Sequence, residues 1–269
     1  MPELPEVETI ARGLAKRVTG DVIESVWLGQ KKEPLKSSAA QIASTLEQSR
    51  IGHVRRMGKH IVFDLDRRKK ESKWIVHLGM TGRLQVCDPQ TEIAKHTHAI
   101  LKLSSGRELR FVDPRRFGRL SVTASAEFDA LGIEPLEIDL DRFIFLFHGR
   151  KTPIKSSLLN QKLLRGVGNI YADESLFRAG IRPRRRAAMI TRDQLARLHA
   201  AVKEVLREAI ALGGSSVSDY VNADGEEGFF QLQHRVYARE GEPCLVCKTP
   251  IKRVVIAGRS SHYCPKCQK

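Results

Sequence analysis

The chain has 269 residues, enough for two domains with separate cores, and a formal net charge of +15. Its 46 lysines and arginines are spread along the chain, which favours a folded surface that binds a polyanion such as nucleic acid. The sequence has no apolar run of membrane-spanning length and no signal-peptide pattern, so we expect an intracellular protein without a membrane partner.

The first predicted element is a helix over Pro5–Val18, whose apolar residues recur at helical spacing. Ahead of it, Met1 precedes the small residue Pro2 and is expected to be removed. Pro2 would then carry a terminal secondary amine, a possible nucleophile towards an aldehyde carbon. The neighbouring Glu3 and Glu6 could move protons. An ordinary helix start explains the same residues, because proline and glutamate suit the first helical turn.

Period-2 patterns then predict six strands, and Cys87 is expected to be an ordinary core or strand residue. The strands are Val22–Leu28, His53–Leu65, Trp74–Leu78, His98–Leu103, Glu108–Val112 and Arg119–Val122. Several short strands after one helix indicate a β-sandwich-like domain. The strand signals stop near Gly132, so we predict an N-terminal domain over 1–131 and a second domain over 132–269.

The second domain is predicted to be mainly helical, which makes the fold class α+β. The predicted helices are Leu158–Arg165, Asn169–Arg178 and Arg192–Leu212. Thr191 and Gln194 form a capping box at the start of the last helix, and its apolar stripe is assigned to core packing. The polar, glycine-containing segment Ser215–Gly228 is predicted to be a mobile loop.

Four of the five cysteines form two Cys-x-x-Cys pairs near the C-terminus. They are Cys244, Cys247, Cys264 and Cys267. Two such pairs can close a tetrahedral site, and four thiolates leave no position for water, so the pattern predicts a structural zinc ion. The residues between the pairs suit a hairpin, which gives a zinc ribbon over about 235–269. Arg259 follows Gly258 at the predicted tip, where it could reach phosphate or be only a solvated charge.

Two further motifs suit nucleic-acid binding. In Arg165–Tyr171 a glycine turn precedes a helix, whose N-terminus suits phosphate, although such turns are commonly only structural. In Asp113–Gly118 an exposed Phe117 beside Arg115 and Arg116 would suit insertion into a base stack. A buried phenylalanine beside two surface charges explains that segment equally well.

Together these motifs resemble the bacterial formamidopyrimidine-DNA glycosylases, which excise oxidised purines, over essentially the whole chain. The matching segments are Pro2–Glu8, His77–Gly82, Asp113–Gly118, Gly166–Glu174 and the four-cysteine ribbon. The resemblance implies an N-terminal β-sandwich with a leading helix, a helix-two-turns-helix domain and DNA in the cleft between them. It also implies a glycosylase and abasic-site lyase in base excision repair that acts on 8-oxoguanine and formamidopyrimidines in damaged double-stranded DNA.

The same resemblance implies a role for individual residues. Pro2 would attack C1′ and form a Schiff base, Glu3 would shuttle protons, Lys59 would serve β-elimination, and Arg259 would serve δ-elimination and bind phosphate. DNA or phosphate contacts would fall on His77, His96, Arg115, Arg116, Arg150, Lys155 and Asn169. Met80, Arg115 and Phe117 would fill the void, and the loop at 215–228 would cover the flipped base. The enzyme would act as a monomer without a nucleotide cofactor, in the cytoplasm and near the nucleoid.

Two alternatives stay open at this point. An endonuclease VIII-like glycosylase for oxidised pyrimidines would share the N-terminus, the glycine turn and the ribbon, but Leu4 and the complete void-filling set favour the purine enzyme. A non-catalytic zinc-ribbon DNA-binding protein would explain the charge and the cysteines. It would not explain the combination of Pro2, Glu3 and Lys59.

Overall fold

The computed structural model of the chain describes residues 1–31, 33–123, 132–216 and 227–269. The chain divides into two units. The first unit consists of Met1–Ala130 together with Gly213–Gly228, and the second of Leu131–Leu212 together with Phe229–Lys269. Segment Gly213–Gly228 therefore belongs to the first unit although it lies in the second half of the sequence. Within the described residues, no helix is both long and apolar enough to cross a membrane.

The first unit is a β-sandwich with a leading helix, as predicted. Its elements are α1 (Leu4–Val18), β1 (Ile23–Leu28), α2 (Ala39–Leu46), β2 (Arg50–Met57), β3 (His60–Arg67), β4 (Lys70–His77), β5 (Arg83–Cys87), β6 (Thr97–Leu103), β7 (Glu108–Val112) and β8 (Arg119–Thr123). The strands form two antiparallel sheets in the orders β1-β6-β7-β5 and β2-β3-β4-β8. Both sheets and the apolar face of α1 bury their side chains in one core.

Three details of this unit differ from the sequence prediction, and the first is strand β5, which was not predicted. The single strand His53–Leu65 is wrong, because the chain reverses at Gly58-Lys59 and makes the hairpin of β2 and β3. Apolar alternation continues on both sides of this two-residue turn, and so it conceals the turn. The short helix α2 was not predicted, although Ser38 and Gln41 form a capping box at its start. Cys87 is the half-buried last residue of β5, which agrees with an ordinary strand residue.

The second unit is mainly helical and ends in a two-stranded hairpin. Its elements are α3 (Leu140–Phe147), α4 (Ile154–Leu158), α5 (Asn169–Ala179), a 3₁₀ turn at Ala187–Met189, α6 (Arg192–Ala211), a second 3₁₀ turn at Phe230–Gln233, β9 (Lys252–Ile256) and β10 (Arg259–Tyr263). Helix α6 packs against α3 and α5. The predicted capping box of Thr191 and Gln194 is confirmed, and the predicted apolar stripe of α6 is buried.

The predicted helix Leu158–Arg165 is wrong. Helix α4 ends at Leu158, and the following residues form turns. The side chain of Asn160 accepts the backbone N–H of Lys162 over 3.0 Å, a local hydrogen bond that competes with helix formation. Gln161 then uses its side-chain amide to hold the glycine turn that follows, donating to the carbonyl of Val167 over 2.9 Å. Helix α3 was also missed, although Asp139 caps its N-terminus.

His234 lies among aromatic rings in the second unit and is 8% exposed. Its ring centroid is 5.6 Å from that of Phe230 and 5.4 Å from that of Tyr237. Burial, with a smaller effect from the charge of Arg239, lowers the pKa of His234 to about 4. The folded protein therefore holds this imidazole neutral at pH values where an unfolded chain would protonate it.

This buried histidine makes stability depend on pH. Because the unfolded pKa is about 6.5, the unfolded state binds more protons than the folded state as pH falls from there to about 4. The free energy of unfolding should fall in that window, and His234→Gln should flatten its slope by up to about 1.4 kcal/mol per pH unit. Urea unfolding between pH 4.5 and 7 measures this slope. His148→Gln, at an exposed position, is the matched control, and a wild-type slope in His234→Gln would contradict the assignment.

Candidate active site and nucleic-acid interface

The N-terminus of the first unit is held by the side chain of Glu6. The backbone N–H of Glu3, the N-cap residue of α1, donates to Glu6 Oε2 over 2.8 Å and forms part of a capping box. Pro2, Glu3 and Glu6 are buried, whereas Met1 is exposed. The helix start that competed with a catalytic interpretation is therefore present, and its contacts hold Glu3, the residue that follows Pro2.

Glu6 also binds the segment that returns to the first unit. Its Oε1 accepts the backbone N–H of Ser215 over 2.8 Å. Gly214 has a φ of +86°, and a Cβ atom at this position would lie 2.9 Å from Glu6 Oε1. One buried carboxylate thus joins the N-terminus to the first residues of the predicted loop Ser215–Gly228. The middle of that loop, 217–226, lies outside the described residues.

Lys59 lies in the turn between β2 and β3 and is 8% exposed. Arg56 supports this turn, because it donates to the carbonyl of Gly58 over 3.2 Å and to Glu8 Oε2 over 2.8 Å. Burial alone would raise the pKa of Glu8, but Arg56 and Arg12 lower it below its ordinary value. The ion pair therefore fixes the turn that carries Lys59 to α1, the helix that follows Pro2.

His77 ends β4 and lies between His60 of β3 and Arg119 of β8 in the sheet register. The two imidazole rings are 4.9 Å apart. Burial first, and then the charges of His60, Lys59 and Arg119, lower the pKa of His77 to about 4. The backbone N–H of Gly79 lies 3.1 Å from Nδ1 as a donor, which leaves the proton of the neutral ring on Nε2. His77 can thus donate a hydrogen bond without carrying charge.

The buried carboxylate of Asp113 holds two loops together. Its Oδ1 accepts from Thr81 Oγ1 over 2.6 Å, and its Oδ2 accepts the backbone N–H of Gly118 over 2.8 Å. A Cβ atom on Gly79 would lie 2.5 Å from the backbone of Phe117 and of Gly118, so only glycine fits this contact. The loops 78–82 and 113–118 are therefore joined through backbone as well as through Asp113.

These two loops carry the predicted void-filling residues. Met80 is 41% exposed and Phe117 is 48% exposed, so neither the Met80 thioether nor the Phe117 ring is buried in the core. The guanidinium carbon of Arg115 lies 4.9 Å from the centroid of the Phe117 ring, a cation–π geometry. Arg116 is exposed with a φ of +55°. His96 is exposed just before β6, and its carbonyl accepts the N–H of Asp113 over 3.0 Å.

In the second unit, the glycine turn leads into the N-terminus of α5. Gly168 is the N-cap residue, and Asn169 is the first helical residue. The side chain of Gln161 accepts the backbone N–H of Gly166 over 2.8 Å, which stabilises the turn. Asn169 is half-buried, and its Nδ2 donates to Ser260 Oγ of β10 over 3.4 Å. The first residue of α5, directly after the predicted glycine turn, therefore contacts the ribbon hairpin.

The remaining predicted contacts of this unit differ in exposure. Arg150 follows α3 and is exposed, with Nε hydrogen-bonded to the carbonyl of Leu146. Arg259 is exposed at the start of β10, after the turn at Ala257-Gly258. Lys155 is completely buried, and its Nζ lies 2.7 Å from Asp173 Oδ1. The structure thus places Lys155 in the interior of the second unit and not on its surface.

The four C-terminal cysteines form the predicted cluster. Their Sγ atoms all lie within 4.8 Å of one another, and none forms a disulfide. The closest contacts are 3.4 Å between Cys247 and Cys264 and 3.9 Å between Cys244 and Cys267. Four sulfurs at about 2.3 Å from a tetrahedral zinc ion are separated by about 3.8 Å. The donor set therefore fits Zn²⁺ and leaves no position for a catalytic water.

The sequence reasoning missed several residues that build these sites. Arg56, Asp113 and Asp173 are charged side chains that hold the segments carrying the site residues but do not need to touch a ligand. The sequence could have indicated Asp113 and Asp173, because each is an acidic residue inside a segment that matches the family. Arg56 had no comparable signal, since its partner Glu8 is far away along the chain.

Three segments of the chain match models of known protein domains. Residues 1–120 match the formamidopyrimidine-DNA glycosylase N-terminal domain, residues 131–221 its H2TH domain, and residues 241–269 a zinc finger found in FPG and IleRS. With the four-cysteine cluster, the zinc-finger match supports one structural zinc ion.

Full-length relatives give the same result. The chain is 47% identical to the formamidopyrimidine-DNA glycosylase of Solibacter usitatus, with both proteins covered completely. It is 32% identical, with a TM-score of 0.91 and full coverage of both chains, to a Lactococcus lactis FPG mutant in complex with a Fapy-dG containing DNA. The same values hold for MutM in complex with carbocyclic 8-oxo-G containing DNA. The chain therefore belongs to the formamidopyrimidine-DNA glycosylase family.

Proposed function

We propose that the protein is a bifunctional DNA glycosylase and abasic-site lyase that excises oxidised purines from double-stranded DNA. Two structural neighbours bind DNA that contains Fapy-dG or an 8-oxo-G analogue, which supports this substrate class. The observation that carries the proposal is the N-terminus, where Glu6 holds the residues around Pro2 in a buried capping box. A non-catalytic DNA-binding protein would not need a secondary amine at the chain end.

The chemistry follows from a secondary amine at the chain end. After removal of Met1, the unprotonated nitrogen of Pro2 attacks C1′, and the bond from C1′ to the base breaks while the base gains a proton. Opening of the sugar ring gives an iminium ion with a fixed positive charge. Glu3, adjacent to Pro2, supplies and removes protons in these steps. Glu6 acts as a positioning residue, because its two oxygens accept N–H groups of Glu3 and Ser215.

Strand cleavage uses the acidity that the iminium ion creates. Loss of the C2′ proton expels the 3′ phosphate, and a second elimination expels the 5′ phosphate. Lys59 serves the first elimination, and Arg259 binds phosphate and serves the second. These steps need no redox cofactor or nucleotide. The zinc ion stabilises the ribbon that carries Arg259 and takes no part in the reaction.

DNA binding combines charge with filling of the void that the everted nucleotide leaves. Met80, Arg115 and Phe117 fill this void, since they lie exposed on two loops that Asp113 joins. His77 donates from Nε2 to phosphate as a neutral ring. His96, Arg116, Arg150 and Asn169 add further phosphate contacts. We also propose that the enzyme acts as a monomer in the cytoplasm, near the nucleoid.

Borohydride trapping tests the nucleophile. The protein mixed with duplex DNA containing 8-oxoguanine should form a covalent complex when borohydride reduces the imine. An uncleavable N-terminal extension should abolish trapping, because an amide nitrogen cannot attack C1′. The matched control carries the same extension with a protease site, and cleavage that exposes Pro2 should restore the complex.

Each other outcome of this experiment has a defined meaning. Trapping that survives an intact extension would show that Pro2 is not the nucleophile. Trapping only on thymine glycol would favour the endonuclease VIII-like activity. The absence of a covalent complex with either lesion would favour a DNA-binding protein without catalysis.

Removal of the Phe117 ring tests the void-filling assignment. Because unstacking costs a few kcal/mol, Phe117→Ala should lower kcat/KM on duplex DNA by roughly 10- to 100-fold. The same variant should lose less activity on a single-stranded lesion, which needs no eversion. Single-turnover assays on both substrates measure the difference. Phe145→Ala, which removes an exposed ring of the second unit, should leave both rates unchanged. Equal losses of Phe117→Ala on both substrates would contradict the assignment.

A further inference from the structure

Lys155 of α4 and Asp173 of α5 form an ion pair inside the second unit. Lys155 Nζ lies 2.7 Å from Asp173 Oδ1, and both residues are completely buried. Removing two charges from water is costly, so a buried pair is weak evidence for stability and better evidence for a defined geometry. The remaining contacts of the pair show which geometry it defines.

Both partners bind the backbone of β10. Lys155 Nζ donates to the carbonyl of Ser260 over 2.7 Å. Asp173 Oδ2 accepts the backbone N–H of His262 over 2.9 Å and lies 3.3 Å from Nδ1 of that ring. Ser260 and His262 alternate along the strand, so two of its five residues are fixed by one charge pair. The hydrogen bond from Asn169 Nδ2 to Ser260 Oγ adds a further link between α5 and β10.

Arg259 immediately precedes Ser260 and is exposed at the end of the hairpin. Its neighbours in the turn, Ala257 and Gly258, have φ values of +46° and +74°, so the backbone conformation there is tightly specified. Any shift of Ser260 would move Arg259 with it. The ion pair therefore fixes the backbone position from which the Arg259 side chain extends, although Lys155 and Arg259 are 104 positions apart in the sequence.

We propose that Lys155 and Asp173 are positioning residues for Arg259 and that Lys155 does not contact DNA. The inference rests on the proposed function of Arg259 in phosphate binding and δ-elimination. It replaces the surface role that the family resemblance implies for Lys155 with an internal one. It also explains why α4 and α5 are joined to the zinc ribbon by buried charged groups.

A double-mutant cycle tests this inference. Single-turnover cleavage of duplex DNA with a preformed abasic site is followed for the wild type, Lys155→Met, Arg259→Gln and the double variant. Since small misplacements of catalytic groups cost up to about 100-fold, Lys155→Met should lower the ratio of δ- to β-elimination product by roughly 10- to 100-fold. The double variant should be no worse than Arg259→Gln alone, because one residue acts through the other.

Controls separate positioning from general damage. Lys162→Met, at an exposed position after α4, should keep the wild-type product ratio. Borohydride trapping and zinc content should stay normal in Lys155→Met. The double variant Lys155→Met/Asp173→Leu replaces the two charges with apolar side chains, and it should still fold. It should also show the lowered ratio of δ- to β-elimination product, because the hydrogen bonds to Ser260 and His262 are lost.

Three results would overturn the inference. Additive effects of Lys155→Met and Arg259→Gln would show independent action, as expected for a direct DNA contact. An unchanged product ratio in the apolar double variant would show that the pair does not position Arg259. Equal losses of trapping and δ-elimination in Lys155→Met would indicate a purely structural role. Failure of the wild type to trap DNA would instead refute the proposed function itself.

Discussion

The interaction on which the proposed chemistry depends is the pair of hydrogen bonds accepted by Glu6. A reactive amine at the end of a chain has to be immobile, whereas chain ends are ordinarily the least ordered part of a domain. The carboxylate accepts one N–H from Glu3 and another from Ser215, each over 2.8 Å. Hydrogen bonds to a charged acceptor are strong, and the N-terminus of α1 favours negative charge at this point. One carboxylate therefore caps α1 and holds the residue that follows Pro2, the proposed nucleophile.

Buried carboxylates hold backbone segments at other places in both units. Asp113 joins two loops in the first unit, and Asp173 holds β10 in the second. Glu174 accepts three consecutive backbone N–H groups, from Arg235, Val236 and Tyr237, over 2.8 to 3.0 Å. Burial raises the pKa of Glu174, although these three bonds oppose the rise. Asp113 and Glu174 fix irregular backbone, where regular secondary structure could not, whereas Asp173 fixes a strand of the hairpin that carries the exposed Arg259.

Much of this arrangement could be predicted from the sequence because it depends on local patterns. Helical spacing identified α1 and α6, a glycine turn marked the start of α5, and cysteine spacing identified the metal cluster. Local patterns failed where a side chain competes with the backbone, as Asn160 does after α4. They also could not show that Lys155 is buried, because its partners Asp173 and Ser260 come from distant parts of the sequence. Residues that position others, such as Arg56, carry no chemical signature of their own.

The rate of covalent trapping by Glu6→Gln measures how far this carboxylate positions Pro2. Glutamine keeps the shape of the side chain but loses one acceptor oxygen, and a hydrogen bond to a charged group contributes about 1.5 to 3 kcal/mol. At saturating DNA, single-turnover trapping by Glu6→Gln should slow by roughly 10- to 100-fold, while its DNA affinity should stay at the wild-type value. Glu24→Gln, at an exposed position, is the control and should trap DNA at the wild-type rate. A wild-type trapping rate in Glu6→Gln would contradict the claim that this carboxylate positions the nucleophile.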